Sequence, residues 1–507
     1  MYRAGAWTVA RVRAAEDALL ERVPGSVLMR RAAFGLATRA AAALAEWTGG
    51  VAGRHVTLLV GAGNNGGDTL WAGAFLRRRG VAVTAVLLSP DRAHPQGLAA
   101  LRRAGGRIAG HRLDRADLVL DGIVGLSGRG GLRPVAARLL EAVQAPIIAV
   151  DSPSGVDPDT GTVAGPAVTA TETVTFGACK PVHLLAPWRC GPVHLVDIGL
   201  FAELGEPDLR VLTAAEVGAC WPVPGPASDK YNQGVVGIAA GSAGYPGAAV
   251  LCAGAAVLAT SGMVRFAGTA ADAVRARWPE VVATGSVSDA GRVQAWAVGP
   301  GWGTGTASRQ VLAQVLAAGV PVVADADAIT LLARHPELAD SRDPGTPLVL
   351  TPHDREFERL TGKAPGTDRV AAAQDAARRF DAVLLLKGNT TIVAAPDGRV
   401  LVNPARSSWP ATAGSGDVLT GVLGALLAAG LEPATAAAAA VHAQELAAAI
   451  AARDGESGIG VRGGGSGIVV RGGMCGGAPA PASAIQKALT DAVRTLRAAA
   501  RLPDMRG

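Results

Sequence analysis

The sequence predicts an α/β protein with two doubly wound domains. Its length of 507 residues favours more than one core, and 49% of the residues are hydrophobic against 18% charged. In both halves, short unbroken apolar runs alternate with alanine- and arginine-rich stretches of helical character. Unbroken runs are typical of parallel strands covered on both faces, and their alternation with helices is typical of doubly wound sheets.

Six apolar runs in the first half predict a parallel sheet. They stand within the segments HVTLLVGAG, VAVTAVLLS, ADLVLDGIVG, APIIAVDSPSG, ETVTFGACKP and GPVHLVDIGL. A stretch rich in proline and glycine, residues 220–234, then interrupts the pattern. We place the boundary near residue 212, so that the predicted domains are 1–212 and 213–507.

The second half repeats this pattern with different loops. Its apolar runs stand within the segments GVVGIAAGSAGYPGAA, AWAVGPGWGTG, VPVVADADAITLL, PLVLTPHDREFERL and AVLLLKGNTTIVAAPDG. Residues 455–481 are so rich in glycine that we expect a flexible insertion there. The segment ASAIQKALTDAVRTLRAAARL is amphipathic and predicts a last helix that packs on the core.

Composition argues against several classes of protein. The net charge of +6 comes from scattered arginines without a basic stripe, so we expect no nucleic-acid partner. The five cysteines lie far apart and form no C-x-x-C, which argues against a disulfide framework or a zinc site. The N-terminus lacks the apolar core of a signal peptide, and the longest apolar stretch, 418–431, is too short to cross a bilayer. We expect a cytoplasmic protein without a membrane partner.

Lysine is rare in this chain. Only 5 of the 48 basic residues are lysines, and Lys180, Lys230 and Lys387 fall in segments punctuated by glycine or proline. An ammonium and a guanidinium are not interchangeable at phosphate sites. These lysines are therefore candidates for functional loops, with chance placement as the alternative.

The loop after the first long strand carries the pattern G-x-G-x-x-G over residues 61–66. At a helix start, such a loop can hold dinucleotide phosphates, and Asp91 lies about where a ribose-binding acid would. The pattern alone is weak, because a dinucleotide loop needs neither the paired Asn64 and Asn65 nor Asp68. A dehydrogenase is one hypothesis for this half.

Three more loops follow predicted strands, where open α/β sheets collect functional residues. Asp121 precedes a glycine-rich segment, 125–131, which suits a pyrophosphate. Asp151 ends its strand and Ser154 follows, an arrangement that suits a general base and a ligand. Each aspartate could instead make a turn or cap a helix. The last of these loops is FGACKP, residues 176–181.

Together, the motifs NNGGD, DGIVGLSGRGG, DSPSGVD and TFGACKP resemble the NAD(P)H-hydrate epimerase family in order and spacing, over about residues 10–210. The resemblance implies a Rossmann-like fold that binds a damaged nicotinamide nucleotide without hydride transfer. It implies that Asp151 is the catalytic acid/base at C6 of the hydrated ring. It also implies a potassium ion held by Asn65, Asp121 and Ser154, whose oxygens suit a hard cation. The implied substrate contacts are Asn64, Asn65, Gly66, Gly67, Asp68, Gly125, Leu126, Ser127, Gly128, Arg129, Gly130 and Gly131.

The segment TAGSGDVL, 412–419, predicts a second active site. Glycines that open an apolar helix leave N–H groups directed at one point, which can hold a transferring phosphoryl group. Asp417 beside them could deprotonate an attacking hydroxyl. The segment is not a Walker A loop, because no G-K-[ST] follows, and as an ordinary helix cap it would carry no function.

This segment resembles the anion-hole motif of the ribokinase-like superfamily. With GSAGYPGAA, VGPGWGTG, DADAITLL, TPHDREFERLTG and LLLKGNTTIV, it is similar to the ADP- or ATP-dependent NAD(P)H-hydrate dehydratase family over about residues 225–450. The resemblance implies Asp417 as the base, a magnesium ion with the nucleotide, and ADP as the favoured donor, with ATP left open. The implied nucleotide contacts are Lys387, Gly388, Asn389, Thr390, Thr391, Gly414 and Gly416. The implied substrate contacts are Ala248, Ala249, Gly301 and His353. Outside the TPHDREF motif, this histidine would be interpreted as a helix cap.

Joined in one chain, the two halves predict a complete repair enzyme for hydrated NADH and NADPH (NADHX and NADPHX). The first half would interconvert the R and S hydrates, and the second would return the S hydrate to NADH or NADPH. We also expect a homo-oligomer. The main alternative is a ribokinase-like vitamin kinase fused to a nucleotide-binding module, and a first half that only binds protein partners is another.

Overall fold

The computed structural model describes residues 5–110, 115–126, 128–405, 407–452 and 477–501. Over these residues the chain forms two compact units that divide after Arg210. The predicted α/β class is confirmed in both units. Ser127 and most of the predicted glycine-rich insertion, 455–481, lie outside the described residues.

The first unit is built on a parallel sheet. Its strands are β1 (Gly5–Ala6), β2 (His55–Val60), β3 (Ala82–Leu87), β4 (Arg107–Ala109), β5 (Leu118–Gly122), β6 (Ile147–Val150), β7 (Glu172–Phe176), β8 (Val193–Val196) and β9 (Leu209–Arg210). In the described residues the sheet order is β4-β3-β2-β5-β6-β7-β8, parallel throughout, while β1 and β9 form a short antiparallel pair. All six predicted runs are confirmed as strands.

Helices cover both faces of this sheet. They are α1 (Val9–Leu20), α2 (Gly25–Thr48), α3 (Asn64–Arg78), α4 (Pro95–Arg103), α5 (Pro134–Glu141), α6 (Pro181–Leu185) and α7 (Pro187–Cys190). Neighbouring strand residues face separate cores, Leu58 packing with α2 and α3 and Leu59 with α5. The strand order reverses between β2 and β5, so the loops after these strands diverge and leave a crevice at the carboxyl edge of the sheet.

The second unit has a larger, mixed sheet. Its strands are β10 (Val235–Ala239), β11 (Met263–Ala267), β12 (Val282–Thr284), β13 (Ala295–Val298), β14 (Val322–Ala324), β15 (Leu348–Leu350), β16 (Val383–Leu386), β17 (Thr390–Ala394) and β18 (Val400–Pro404). Their order is β18-β17-β16-β15-β14-β13-β10-β11-β12. In this order, each pair of neighbours from β16 through β15, β14, β13, β10 and β11 to β12 is parallel. The pairs β16–β17 and β17–β18 are antiparallel.

The helices of the second unit bury many small residues. They are α8 (Ala214–Cys220), α9 (Pro246–Ala259), α10 (Ala271–Arg277), α11 (Thr306–Leu316), α12 (Asp327–Arg334), α13 (Asp354–Thr361), α14 (Arg369–Phe380), α15 (Ser415–Ala428), α16 (Pro433–Ala452) and α17 (Ala482–Arg501). A Cβ atom at Gly421 of α15 would lie 2.1 Å from the carbonyl oxygen of Cys252 in α9, so the backbones of α15 and α9 are in direct contact. The predicted last helix is confirmed as α17, which buries Ile485 and Leu489 in the core. In the part of the chain described, no helix is both long enough and apolar enough to cross a bilayer.

Candidate functional site

Two glycines bring the loop after β2 against the end of β5. A Cβ atom at Gly61 would lie 1.8 Å from the carbonyl oxygen of Ile123, and one at Gly66 would lie 2.3 Å from that of Gly61. Gly63 has a φ of 87°, and α3 begins at the next residue. Glycine is therefore required here, and the loop places the free N–H groups of α3 at the carboxyl edge of the sheet.

Asp121 and Ser154 meet at the end of β5. The hydroxyl of Ser154 donates to Oδ1 of Asp121 over 2.7 Å, and its backbone N–H donates to Oδ2 over 2.9 Å. The same hydroxyl accepts from Val124 N–H over 3.0 Å, and the next residue, Gly125, lies against the side chain of Asn65. Complete burial raises the pKa of Asp121 to about 6. The three residues that the resemblance assigns to potassium are thus connected through Val124 and Gly125. Ser154 binds Asp121 and Val124, and Gly125 contacts Asn65.

Asp151 lies beside a buried lysine. Its φ of 70° is in the left-handed region, which costs free energy for a residue other than glycine. Lys180 is 1% exposed and donates from Nζ to Asp151 Oδ1, to Thr175 Oγ1 over 2.9 Å and to the Phe176 carbonyl over 3.2 Å. Thr175 in turn donates to Asp151 Oδ1 over 3.1 Å. All three N–H groups of the Lys180 ammonium therefore donate hydrogen bonds, while Asp151 Oδ2 has no hydrogen-bond partner in the described chain.

His183 holds the backbone of Asp151. Its Nδ1 accepts from the N–H of Lys180 over 3.0 Å, so Nε2 carries the proton and donates to the Asp151 carbonyl over 2.8 Å. Burial, together with the charge of Lys180, lowers the pKa of His183 to about 4, which keeps the ring neutral at pH 7. The loop from β7 into α6 therefore fixes both the carboxylate and the backbone of Asp151.

Asp68 faces this same centre from near the start of α3. It is 8% exposed, and its carboxyl accepts no hydrogen bond from any described residue. Burial raises the pKa of Asp68 well above 3.8, and the charges of Asp151 and Glu16 raise it further against the opposing effect of Lys180. Glu16, on α1, is partly buried, which raises its pKa as well. Asp68 and Glu16 therefore lie within electrostatic range of the Asp151–Lys180 pair.

The predicted substrate loop 125–131 begins at the site, and its substrate contacts stay a prediction. Gly125 contacts Asn65, and Leu126 packs against the core that includes α3. Gly131 packs instead against the backbone of Gly165, and Arg129 is exposed.

In the second unit, a partly buried ion pair lies against the start of α15. Lys387 Nζ donates to Asp325 Oδ1 over 2.6 Å, and the Thr420 hydroxyl donates to Oδ2 over 2.8 Å. A Cβ atom at Gly416 would lie 3.5 Å from Lys387 Nζ and 3.6 Å from Asp325 Oδ2. Gly414, with a φ of 84°, turns the chain into the helix. The lysine therefore adds its charge to a helix N-terminus that already favours anions.

Asp417 stands beside this pair with a free carboxyl. No described residue forms a hydrogen bond with it. Burial, helped by the charge of Asp325 and opposed by that of Lys387, raises the pKa of Asp417 to about 6. Such a carboxylate is ionised at pH 7 and is a stronger base than an exposed aspartate.

The other predicted contacts of the second unit also follow its parallel strands. A Cβ atom at Gly301 would lie 2.9 Å from Cβ of Ala248, so these residues adjoin, while Ala249 lies against the Gly241 turn. His353 caps α13, because its Nδ1 accepts from the N–H groups of Arg355 and Glu356 over 3.1 and 3.3 Å. The cap interpretation of His353 is confirmed, and its substrate contact stays a prediction.

Residues 387–391 connect β16 to β17. The N–H of Lys387 donates to Pro352 over 2.9 Å, and Arg369 donates to the Lys387 carbonyl over 2.9 Å. The Asn389 carbonyl accepts from Ala405 N–H over 2.8 Å. The turn is therefore held from both sides, beside the start of α15.

Several residues of these centres had no assigned role in the sequence prediction. One of them, Lys180, was signalled by the scarcity of lysine, since it binds a buried carboxylate as the predicted nucleotide contact Lys387 does, whereas Lys230 stacks on Tyr231. Thr175 and Asp325 stood in quoted motifs without an assigned role, and Glu16 and His183 became visible only through the fold.

The chain is similar to known proteins over both units. Residues 25–182 match the family described as YjeF-related protein N-terminus, and residues 236–461 match the family described as NAD(P)H-hydrate dehydratase. The bifunctional NAD(P)H-hydrate repair enzyme Nnr of Mycobacterium tuberculosis is 56% identical over 435 residues, which cover 85% of this chain and 91% of the relative. The Escherichia coli protein of the same name is 32% identical, covering 76% and 78%. The crystal structure of an ADP/ATP-dependent NAD(P)H-hydrate dehydratase from Bacillus subtilis is 26% identical, with a TM-score of 0.46, covering 56% of this chain and 98% of that one.

Proposed function

The chain belongs to the family of bifunctional NAD(P)H-hydrate repair enzymes, and we propose that it uses its two units for the two steps of that repair. The first unit interconverts the R and S hydrates of NADH and NADPH, and the second returns the S hydrate to NADH or NADPH at the expense of ADP or ATP. The observation that carries this proposal is a lysine–aspartate ion pair where parallel strands end in each unit, with Asp151 a member of the first pair and Asp417 near the second. A vitamin kinase would need no such centre in the first unit.

Epimerisation at C6 requires loss and return of the hydroxyl. The ring nitrogen can push hydroxide out, and water then adds to the resulting iminium carbon. Asp151 is the acid/base group, because Lys180 and Thr175 hold its Oδ1 and leave Oδ2 to accept a proton. The loop at the start of α3 supplies N–H groups suited to the phosphates of the substrate.

The Asp121 site fits a bound cation. Its carboxylate is fully buried and, in the part of the chain described, has no cationic side-chain partner. Nearby, the side chain of Asn65 lies against Gly125, and its amide oxygen is a hard ligand of the kind that such a cation prefers. A buried charge of this kind needs compensation. Potassium, held by Asn65, Asp121 and Ser154, would balance the carboxylate and fix the adjoining substrate loop.

Epimerisation should therefore depend on potassium, while dehydration serves as the internal comparison. We expect the R hydrate to be converted faster in potassium chloride than in tetramethylammonium chloride of equal ionic strength, because the larger ion cannot enter a buried site. The measurement is chromatographic separation of the two epimers with time. Equal rates in both salts, with wild-type dehydration in each, would contradict the potassium assignment.

Dehydration needs a better leaving group than hydroxide. Asp417 accepts the proton of the C6 hydroxyl, whose oxygen attacks the terminal phosphoryl group of the nucleotide. The bond from that phosphorus to its bridging oxygen breaks, and the N–H groups of Gly414 and Gly416 stabilise the developing charge. The ring nitrogen then expels phosphate as C5 loses a proton, which restores the double bond of NADH or NADPH.

Lys387 and the turn 387–391 would hold the nucleotide beside Gly416. Among the described residues, no group of three or more His, Cys, Asp or Glu is placed to bind a metal. This fits magnesium, which takes one or two carboxylates and otherwise binds water and substrate phosphates. Asp417 and Asp325 are the carboxylates at the turn. Magnesium bound with the nucleotide would neutralise phosphate charge. Homo-oligomer formation and the preference for ADP stay predictions.

Dehydration should lose activity on acidification. Because burial raises the pKa of Asp417 to about 6, its base form is present above that pH and is lost below it. We expect kcat/KM for the S hydrate to fall about tenfold per pH unit below pH 6. The measurement is the rate of NADH formation with saturating nucleotide, corrected for the reaction without enzyme. A profile that stays flat well below pH 6 would show that Asp417 is not the base.

A further inference from the structure

Inversion at C6 requires a proton transfer on each face of the nicotinamide ring. The hydroxyl leaves from one face and needs a proton, while water adds to the other face and must lose one. A single acid/base group can serve only the face that it lies against. The epimerase centre therefore needs two groups with opposite tasks.

Asp68 has the placement that such a second group needs. It is nine-tenths buried, makes no hydrogen bond with any described residue, and lies within electrostatic range of Asp151, Lys180 and Glu16. It stands near the start of α3, whereas Asp151 follows β6, so the two carboxyls approach the centre from different loops of the crevice. The unpartnered amide of Asn65 lies in the same helix end as Asp68.

The two carboxyls have opposite surroundings. Asp151 Oδ1 accepts hydrogen bonds from an ammonium and a hydroxyl. Asp68 has neither partner, and burial raises its pKa well above 3.8. Two carboxyl groups held in such different environments can divide the roles of acid and base.

We propose that Asp68 is the second catalytic acid/base of the epimerase centre and serves the face of C6 opposite to Asp151. The inference rests on the proposed epimerase activity. For one epimer, Asp68 donates its proton to the leaving hydroxyl, which departs as water as the ring nitrogen forms a C=N bond. Water then adds from the other face, the C=N electrons return to nitrogen, and Asp151 takes the proton. The reverse conversion moves the proton from Asp151 back to Asp68.

The test uses the full chain, separated R and S hydrates of NADH, and water labelled with heavy oxygen. Mass spectrometry follows both interconversion and label entry into each epimer. In Asp68→Asn, we expect interconversion to fall by about 10²-fold or more, while label still enters the one epimer whose hydroxyl faces Asp151. In Asp151→Asn, label should enter only the other epimer. Glu141→Gln, at an exposed carboxylate at the end of α5, provides a matched control with wild-type behaviour.

Three results would overturn the proposal: interconversion by Asp68→Asn at the wild-type rate, label entry into both epimers in that variant, or no label entry in either variant. Each variant is first shown to have the wild-type near-ultraviolet circular dichroism, so that misfolding is not mistaken for lost chemistry. The measurement is repeated with Asp68→Ala, which lacks the side-chain amide of the asparagine variant. A wild-type protein that neither interconverts nor exchanges would refute the epimerase activity itself, which is a different result.

Discussion

Replacing Asp417 with asparagine is expected to slow dehydration of the S hydrate by about 10³-fold and to leave epimerisation unchanged. Asparagine has nearly the same shape but cannot accept the hydroxyl proton. The residue makes no hydrogen bond with the described chain, so its loss should cost little stability. The measurement is NADH formation from purified S hydrate with magnesium and nucleotide, beside chromatographic conversion of R hydrate by the same preparation.

Asp375→Asn is the matched control, because Asp375 is exposed on α14 and forms only a surface ion pair with Arg378. It should keep wild-type rates in both assays. If Asp417→Asn lost both activities while remaining folded, the two centres would not be independent. If it lost neither, another group would be the base.

Replacing Lys180 with methionine is expected to damage the first unit most severely. Removing one partner of a buried ion pair typically costs about 3–5 kcal/mol, because the remaining charge is left uncompensated. Asp151 would also lose the donor that holds its Oδ1, so we expect interconversion of the hydrates to fall by about 10²-fold or more. The measurements are denaturant unfolding and epimer conversion, with S-hydrate dehydration as the internal reference.

Thr175 separates positioning from stability in this centre. Thr175→Val removes the hydroxyl that donates to Asp151, whereas Thr175→Ser keeps it. We expect a lower kcat with little change in KM for the valine variant, and recovery of kcat in the serine variant.

Lys230→Met, at an exposed lysine, is the control for Lys180→Met and should change neither stability nor rate. A folded Lys180→Met protein with wild-type conversion would remove Lys180 from the mechanism.

Most parallel strands of the fold could be predicted from unbroken apolar runs, and arginine accounts for two that were missed. β11 is MVRFA, in which Arg265 interrupts the run, and β4 is RIA, in which Arg107 leaves only two apolar residues. β16 and β17 lie in one predicted segment but form separate antiparallel strands. The connection Lys387–Asn389 is too short for a parallel crossover, so the chain has to reverse.

The sequence indicated which loops carry the site residues, but not which of these residues contact one another. Asp151 and Lys180 were both found in loops at strand ends, yet they lie 29 residues apart in sequence, and only the adjacency of β6 and β7 brings them together. Glu16 lies in a helix whose sequence shows no motif. The Asp325–Lys387 pair spans 62 residues and likewise needed the sheet order.

The most direct test of the whole account is recovery of NADH from a mixture of its R and S hydrates. The protein is incubated with the mixture, magnesium and potassium, with ADP and ATP in parallel, and the near-ultraviolet absorbance of NADH is followed to completion. The account predicts recovery of all the NADH, faster with ADP, because the first unit converts R hydrate into the S hydrate that the second unit consumes. Recovery that stops when the S hydrate is exhausted, or that never begins with either nucleotide, would contradict it.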